Sequence, residues 1–174
     1  MIKLINADCI QAMKELSDNY VDLTVTNIPY NEVNRKSNGL RNLDKDKADI
    51  ATCNLSNLVD ELCRITKGSI YIFCGIMQVS EIKQKMVENK MSTRLCIWEK
   101  SNPSSMNGDK IWLSGIECCV YGKFPKATFN EHCKNTVFRY PCGRNKIHPT
   151  QKPEALIERL VLASSNGGGA GFSI

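Results

Sequence analysis

No stretch of this sequence stays apolar for the roughly 18–20 residues that a membrane-spanning helix requires. Histidine is scarce, with two in 174 residues, and no two cysteines stand at the C-x-x-C spacing of a zinc or redox site. There is no internal repeat, and no low-complexity tract before the glycine-rich end. Residues Met1 to Asn6 give way to Asp8 too soon for a secretory leader. These absences argue against a helical membrane protein, a zinc ribbon, a thioredoxin-like site and a solenoid. What remains is one soluble globular domain, expected in the cytoplasm, with 42% hydrophobic and 24% charged residues.

Cysteine, by contrast, is abundant: nine residues, an odd number. Cys9, Cys63, Cys74, Cys96, Cys118 and Cys119 fall inside apolar or periodic stretches, where free cysteine acts as a small buried hydrophobe. Cys133 and Cys142 with His132 and His148 match no standard ligand spacing, so no metal is expected.

The net charge of +5 is unevenly placed. Residues 121–152 carry Lys123, Lys126, Lys134, Arg139, Arg144, Lys146 and Lys152 against Glu131 alone, and the remainder is close to neutral. A concentrated basic segment suits a polyanion-binding surface, and a solvated lysine-rich loop is the plainer alternative.

Val21 to Thr26 is a β-branched strand halted by Asn27 and Pro29. Ile10, Met13 and Leu16 before it fall at helical spacing, and Ile2 to Ile5 suggest a short edge strand. Residues 31–50 form a long polar connection, which is functional or mobile. Leu55, Leu58, Val59, Leu62 and Ile65 mark an amphipathic helix that Gly68 is expected to end. A buried strand follows at Ile70 to Cys74, then a helix through Val79, Ile82 and Met86. Two more strands run through Leu95, Ile97 and Trp98, and from Ile116 to Tyr121. Pro149 and Pro153 bracket the entry to a last helix, with Glu154 in its first turn, and no strand is expected after it. Strands alternating with helices imply an α/β fold with a largely parallel sheet.

In open α/β sheets, ligands bind beyond the carboxyl ends of the strands. Asn27-Ile28-Pro29-Tyr30 lies there, combining a polar acceptor, a rigid turn and an aromatic ring; alone, it could be no more than a strand-ending turn.

The runs Ile5-Asn6-Ala7-Asp8-Cys9-Ile10, Ser17 to Leu23 and Asn27-Ile28-Pro29-Tyr30-Asn31 together resemble the opening of the β-class DNA amino-methyltransferases. The likeness continues through Arg64 to Gly68 and Trp98-Glu99-Lys100-Ser101-Asn102, and through His148-Pro149-Thr150-Gln151-Lys152-Pro153 followed by Leu156 to Leu160. It implies a Rossmann-like, mostly parallel methyltransferase fold and S-adenosylmethionine as the methyl donor, without a metal. It implies double-stranded DNA as the partner and the exocyclic N6 amine of adenine as the acceptor, with cytosine N4 as the alternative. It also implies a setting such as restriction–modification or phage self-protection.

An exocyclic amine is a poor nucleophile because its lone pair is delocalised into the ring, so the site must accept both amine hydrogens. The resemblance assigns this to the Asn27 side-chain oxygen and the Ile28 carbonyl, with Pro29 fixing the turn and Tyr30 stacking on the flipped base. The family has Asp or Ser where Asn27 stands and a proline where Ile28 stands, so a weakened or altered site is expected. The cofactor side would comprise Asp8, His148, Thr150, Gln151, Lys152 and Pro153. Asp8 could equally be a helix N-cap, and His148 a surface residue before a proline. Lys123, Lys126, Lys134, Arg139, Arg144 and Lys146 would hold DNA phosphates, and residues 31–50 would close on the duplex.

The resemblance divides the chain into a catalytic part (1–122), a short target-recognition segment (123–147), a cofactor-side motif and helix (148–166) and a glycine-rich tail (167–174). The family's Asp-Pro-Phe-x-Gly-Ser-Gly loop is not found in that tail, so a truncated cofactor half is expected, with an exposed apolar sheet edge. Two further readings stay open: an inactive DNA-binding remnant, and a subunit completed by a second copy or a complementing chain.

Overall fold

A computed structural model describes residues 3–30, 54–105, 108–143 and 151–174. Six strands form one sheet in the order β5-β3-β4-β2-β1-β6. They are β1 (Val21–Asn27), β2 (Thr66–Cys74), β3 (Ser92–Lys100), β4 (Ile116–Lys123), β5 (Val137–Tyr140) and β6 (Gly171–Phe172). β1 runs parallel to β2 and β6, and β3 parallel to β5, whereas β4 is antiparallel to both β2 and β3. The sheet is therefore mixed, with parallel pairing in three of its five ladders. β1 and β2 end together, Asn27 opposite Phe73, and this end carries the candidate site.

The helices cover both faces. α1 (Cys9–Lys14), α2 (Leu55–Ile65) and α3 (Val79–Glu88) pack one face, where Met13, Leu58, Leu62, Ile82 and Met86 meet Ile70, Ile72 and Val120. α4 (Glu154–Ser164) packs the other, its Leu156 and Leu160 against Leu23, Phe73, Trp98 and Cys119. Alternation along β2 sends Ile70, Ile72 and Cys74 to the first core and Tyr71 and Phe73 to the second, as a two-residue period demands of a strand buried on both sides. Cys63, Cys74, Cys96, Cys118 and Cys119 are buried in these cores. Burial pushes the Cys63, Cys74 and Cys96 thiols up to about 12 and Cys119 well above its usual value, so they stay protonated and apolar.

Four sequence expectations are corrected. Residues 3–6 form no strand. α2 ends at Ile65, and Gly68 lies inside β2, where a Cβ would collide with the Asp22 carbonyl of the neighbouring strand. Gly68 is thus a close-approach glycine rather than a helix stop. β5 was not foreseen, because Val137 to Tyr140 is short and carries the charge of Arg139. A strand does follow the last helix: β6 pairs with β1 through Leu23–Gly171 and Thr24–Phe172, and the Asp22 carboxylate accepts a 2.9 Å hydrogen bond from the Ala170 amide. Among the described residues no helix is long and apolar enough to cross a membrane, and no group of three or more His, Cys, Asp or Glu side chains could hold a metal ion.

Candidate active site

Asn27 is the last residue of β1 and exposed, whereas the Ile28 side chain turns inward and is buried in the core. The Ile28 amide donates to the Phe73 carbonyl at 3.1 Å, the last rung of the parallel ladder. The next rung would take the Gly75 amide to the Ile28 carbonyl, but that amide donates to Gln78 Oε1 at 2.8 Å. Gln78 Nε2 in turn donates to the Pro29 carbonyl at 3.0 Å. One buried glutamine, on the 3₁₀ turn Ile76–Gln78, therefore ends the ladder and clamps the Asn27–Tyr30 turn to the end of β2.

Tyr30 is half-buried and its hydroxyl donates to Glu117 Oε2 at 3.2 Å. Glu117, near the start of β4, also receives Lys152 at 2.9 Å on Oε2 and Lys100 at 2.9 Å on Oε1. The three charged side chains are only 19%, 8% and 15% exposed for Glu117, Lys152 and Lys100. Burial by itself would raise the Glu117 carboxyl, but the two ammonium groups outweigh it and hold it below the usual carboxylate range. Lys152 moves down from its usual value because burial disfavours its charge, with Glu117 opposing. Burial, then the charge of Glu117, pushes the Tyr30 phenol far up, so it remains neutral. Lys152 Nζ also lies 5.3 Å from the Tyr30 ring centre and 5.4 Å from that of Phe73, so the lysine joins α4's approach to both strand ends.

Beside this cluster, between α4 and the ends of β1 and β6, lies a cavity of about 520 Å³. Asn27 and Lys152 line it on the cluster side, Ile157 and Val161 on the helix side, and residues 169–174 along the tail. The Ile174 carbonyl accepts a 2.9 Å hydrogen bond from Thr26 Oγ1. Its size suits a nucleoside-like ligand, and its walls pair an apolar helix face with glycine backbone that a ligand can approach closely. No carboxylate lines it among the described residues.

The remaining sequence-predicted residues scatter. Gln151, Lys152 and Pro153 lie at the entry to α4, and Gln151 and Lys152 line the cavity. Asp8 is exposed and caps α1, accepting from the Gln11 amide at 3.1 Å, and does not line the cavity. Lys123 ends β4 at the amino end of the sheet, opposite Ser92, whereas Arg139 on β5 lies level with Glu99 and pairs with it at 2.8 Å. Lys126 and Lys134 are exposed on the connection between these strands. His148, Thr150, Arg144, Lys146 and residues 31–50 lie outside the described residues. Sequence reasoning missed Glu117 and Gln78, and it quoted Lys100 only as part of a motif. The available signal was a glutamate and a glutamine each bordering an apolar strand, where a charge or amide must find a partner.

No family model matches the chain. It is 31% identical to the type II methyltransferase M.HpaI of Haemophilus parainfluenzae over 95% of this chain and 60% of that one. It is 27% identical to the DNA adenine methyltransferase YhdJ of Escherichia coli (strain K12) over 95% of this chain and 68% of that one. The chain thus spans about 60% of the first of these relatives. Among solved structures, the M1.HpyAVI–SAM complex superposes with a TM-score of 0.72 at 20% identity, covering 99% of this chain and 82% of that one. The cytosine-N4-specific PvuII DNA methyltransferase gives 0.66 at 11% identity, covering 96% of this chain and 71% of that one. The chain shares the fold of these solved structures.

Proposed function

We propose, from the premise that this chain is a relative of the DNA amino-methyltransferases, that it serves methyl transfer from S-adenosylmethionine to adenine N6 in double-stranded DNA. The observation that carries the reading is the convergence of Asn27, the Ile28–Pro29 turn, Tyr30 and Lys152 on one end of the sheet, with the 520 Å³ cavity beside them. Asn27 in place of serine, and a DNA adenine methyltransferase among the curated relatives, favour adenine over cytosine N4.

The bound cofactor supplies an electrophilic methyl group on a sulfonium centre. The chain's own residues do the rest. The Asn27 amide oxygen and the Ile28 carbonyl accept the two amine hydrogens and localise the nitrogen lone pair towards the cavity. Asn27 cannot take up a proton, so it orients the amine, and the proton displaced by the methyl group leaves to water. Gln78 holds the turn that keeps both acceptors in place. The neutral Tyr30 ring, fixed by Glu117, offers the extruded base a face on which to stack. The apolar side chains of α4 and the backbone of residues 169–171 would hold the cofactor, with Gln151 and Lys152 at its polar end. Arg139, already paired with Glu99, offers positive charge for the duplex at the Asn27 end of the sheet, whereas Lys123 and Lys134 line a cavity at the other end.

A second copy or a complementing chain is the partner this reading allows, since the β6 ladder takes two of the seven residues of β1 among the described residues. A place in restriction–modification, in the cytoplasm, accords with kinship to a type II methyltransferase better than phage self-protection does. The test is to incubate the chain with unmethylated DNA and methyl-labelled S-adenosylmethionine, then digest to nucleosides. N6-methyladenine is expected, reduced about 100-fold or more by Asn27→Ala. Label in N4-methylcytosine, or equal label with the variant, would overturn the reading.

A further inference from the structure

We propose that the cavity beneath the 124–136 connection is a second ligand site, suited to a planar aromatic anion of mononucleotide size. It lies between the amino half of the sheet and α4, walled by Ser92 and Lys123, which pair at the end of the sheet away from Asn27 and Lys100. Its volume is about 310 Å³, at the lower end of small-molecule pockets.

Two features give it a ligand chemistry. The floor is aromatic: Tyr71 and Tyr121 stack with ring centres 4.6 Å apart, and Phe129 is tilted against Tyr121 at 6.2 Å. The Tyr71 hydroxyl is satisfied by Ser164 at 2.7 Å and the ring is buried, so it backs Tyr121 and leaves no unmet polar group. The rim is cationic. Arg94, Lys123 and Lys134 all line the cavity, and none is in an ion pair with a described residue. The one carboxylate present, Glu131, is taken by Arg159 at 2.6 Å. Arg94 donates to the Thr93 carbonyl at 2.8 Å and Lys123 to the Phe124 carbonyl at 3.4 Å, neither of which neutralises a charge. The lining carries four cations against one carboxylate, Glu131, which feels Lys134 as well as Arg159, and a ring bearing a phosphate meets the remaining positive charge and the aromatic floor at once. The site does not depend on methyl transfer and stands or falls separately from it.

The test is calorimetric titration of the intact chain with guanosine 5′-monophosphate, alone and in excess S-adenosylhomocysteine, with the rim variant below separating this cavity from the one at Asn27. A Kd below about 1 mM is expected, corresponding to about 4 kcal/mol. It should weaken at least tenfold in the Arg94→Ala/Lys134→Ala variant at unchanged melting temperature. Should that variant misfold, Lys134→Glu alone, on an exposed side chain, is expected to weaken binding in the same sense. The absence of heat up to about 10 mM (under about 3 kcal/mol), or binding unchanged in a folded variant, would overturn the proposal.

Discussion

Glu117 shows at the scale of one residue how chemistry and stability share atoms. It balances two ammonium groups and a phenol in a site little open to water. Glu117→Gln removes the carboxylate that Lys100 and Lys152 share and is expected to destabilise the fold by about 3 kcal/mol. Lys100→Met in the same chain should recover part of that loss, as urea denaturation would show. The sign of the pH dependence follows from the lowered carboxyl of Glu117. A carboxyl held below its unfolded value contributes fully above about pH 4.3 and loses that contribution as pH falls through its folded value. The wild-type chain should therefore lose stability more steeply than Glu117→Gln on acidification below about pH 4. The place of Asn27 and Tyr30 at the end of β1 was legible in the sequence, because the β-branched run stops there and Pro29 marks a turn. Glu117 was not legible, since its role comes from two lysines 17 and 35 positions away that only the sheet and α4 bring to it.

At the scale of elements, β1 and β2 decide where the site lies, and their closeness rests on Gly68. Gly68→Ala would drive a methyl group into the Asp22 carbonyl. A loss of about 2 kcal/mol or more is expected, read as a lower thermal midpoint, and Lys67→Ala next to it should cost far less because that side chain is exposed. Helix periodicity located α2 and α3, whose apolar faces are long enough to show a pattern, and the flanking prolines located α4. Short elements escaped: β5 has four residues and β6 two, and each is a strand only because a neighbour supplies its hydrogen bonds. The reversal of β4 was equally hidden. Burial on both faces gives parallel and antiparallel strands the same apolar run, and nothing in Ile116 to Lys123 states a direction.

At the scale of the whole molecule, the basic excess that looked like one surface in the sequence is divided between the two ends of the sheet. The β1 edge is the other global feature. The tail meets it at Asp22 to Thr24, and Thr26 reaches the Ile174 carbonyl. Removing residues 167–174 is expected to open the edge, lower the thermal midpoint and produce concentration-dependent association by sedimentation. A cofactor pocket formed by α4, the end of β1 and this tail is checked by calorimetric titration of the chain with S-adenosylmethionine. One site with a Kd tighter than about 100 μM, or about 5–6 kcal/mol, is expected, weakened when Val161, which lines the cavity, is enlarged to Trp. No measurable binding, or binding indifferent to Val161→Trp, would contradict it.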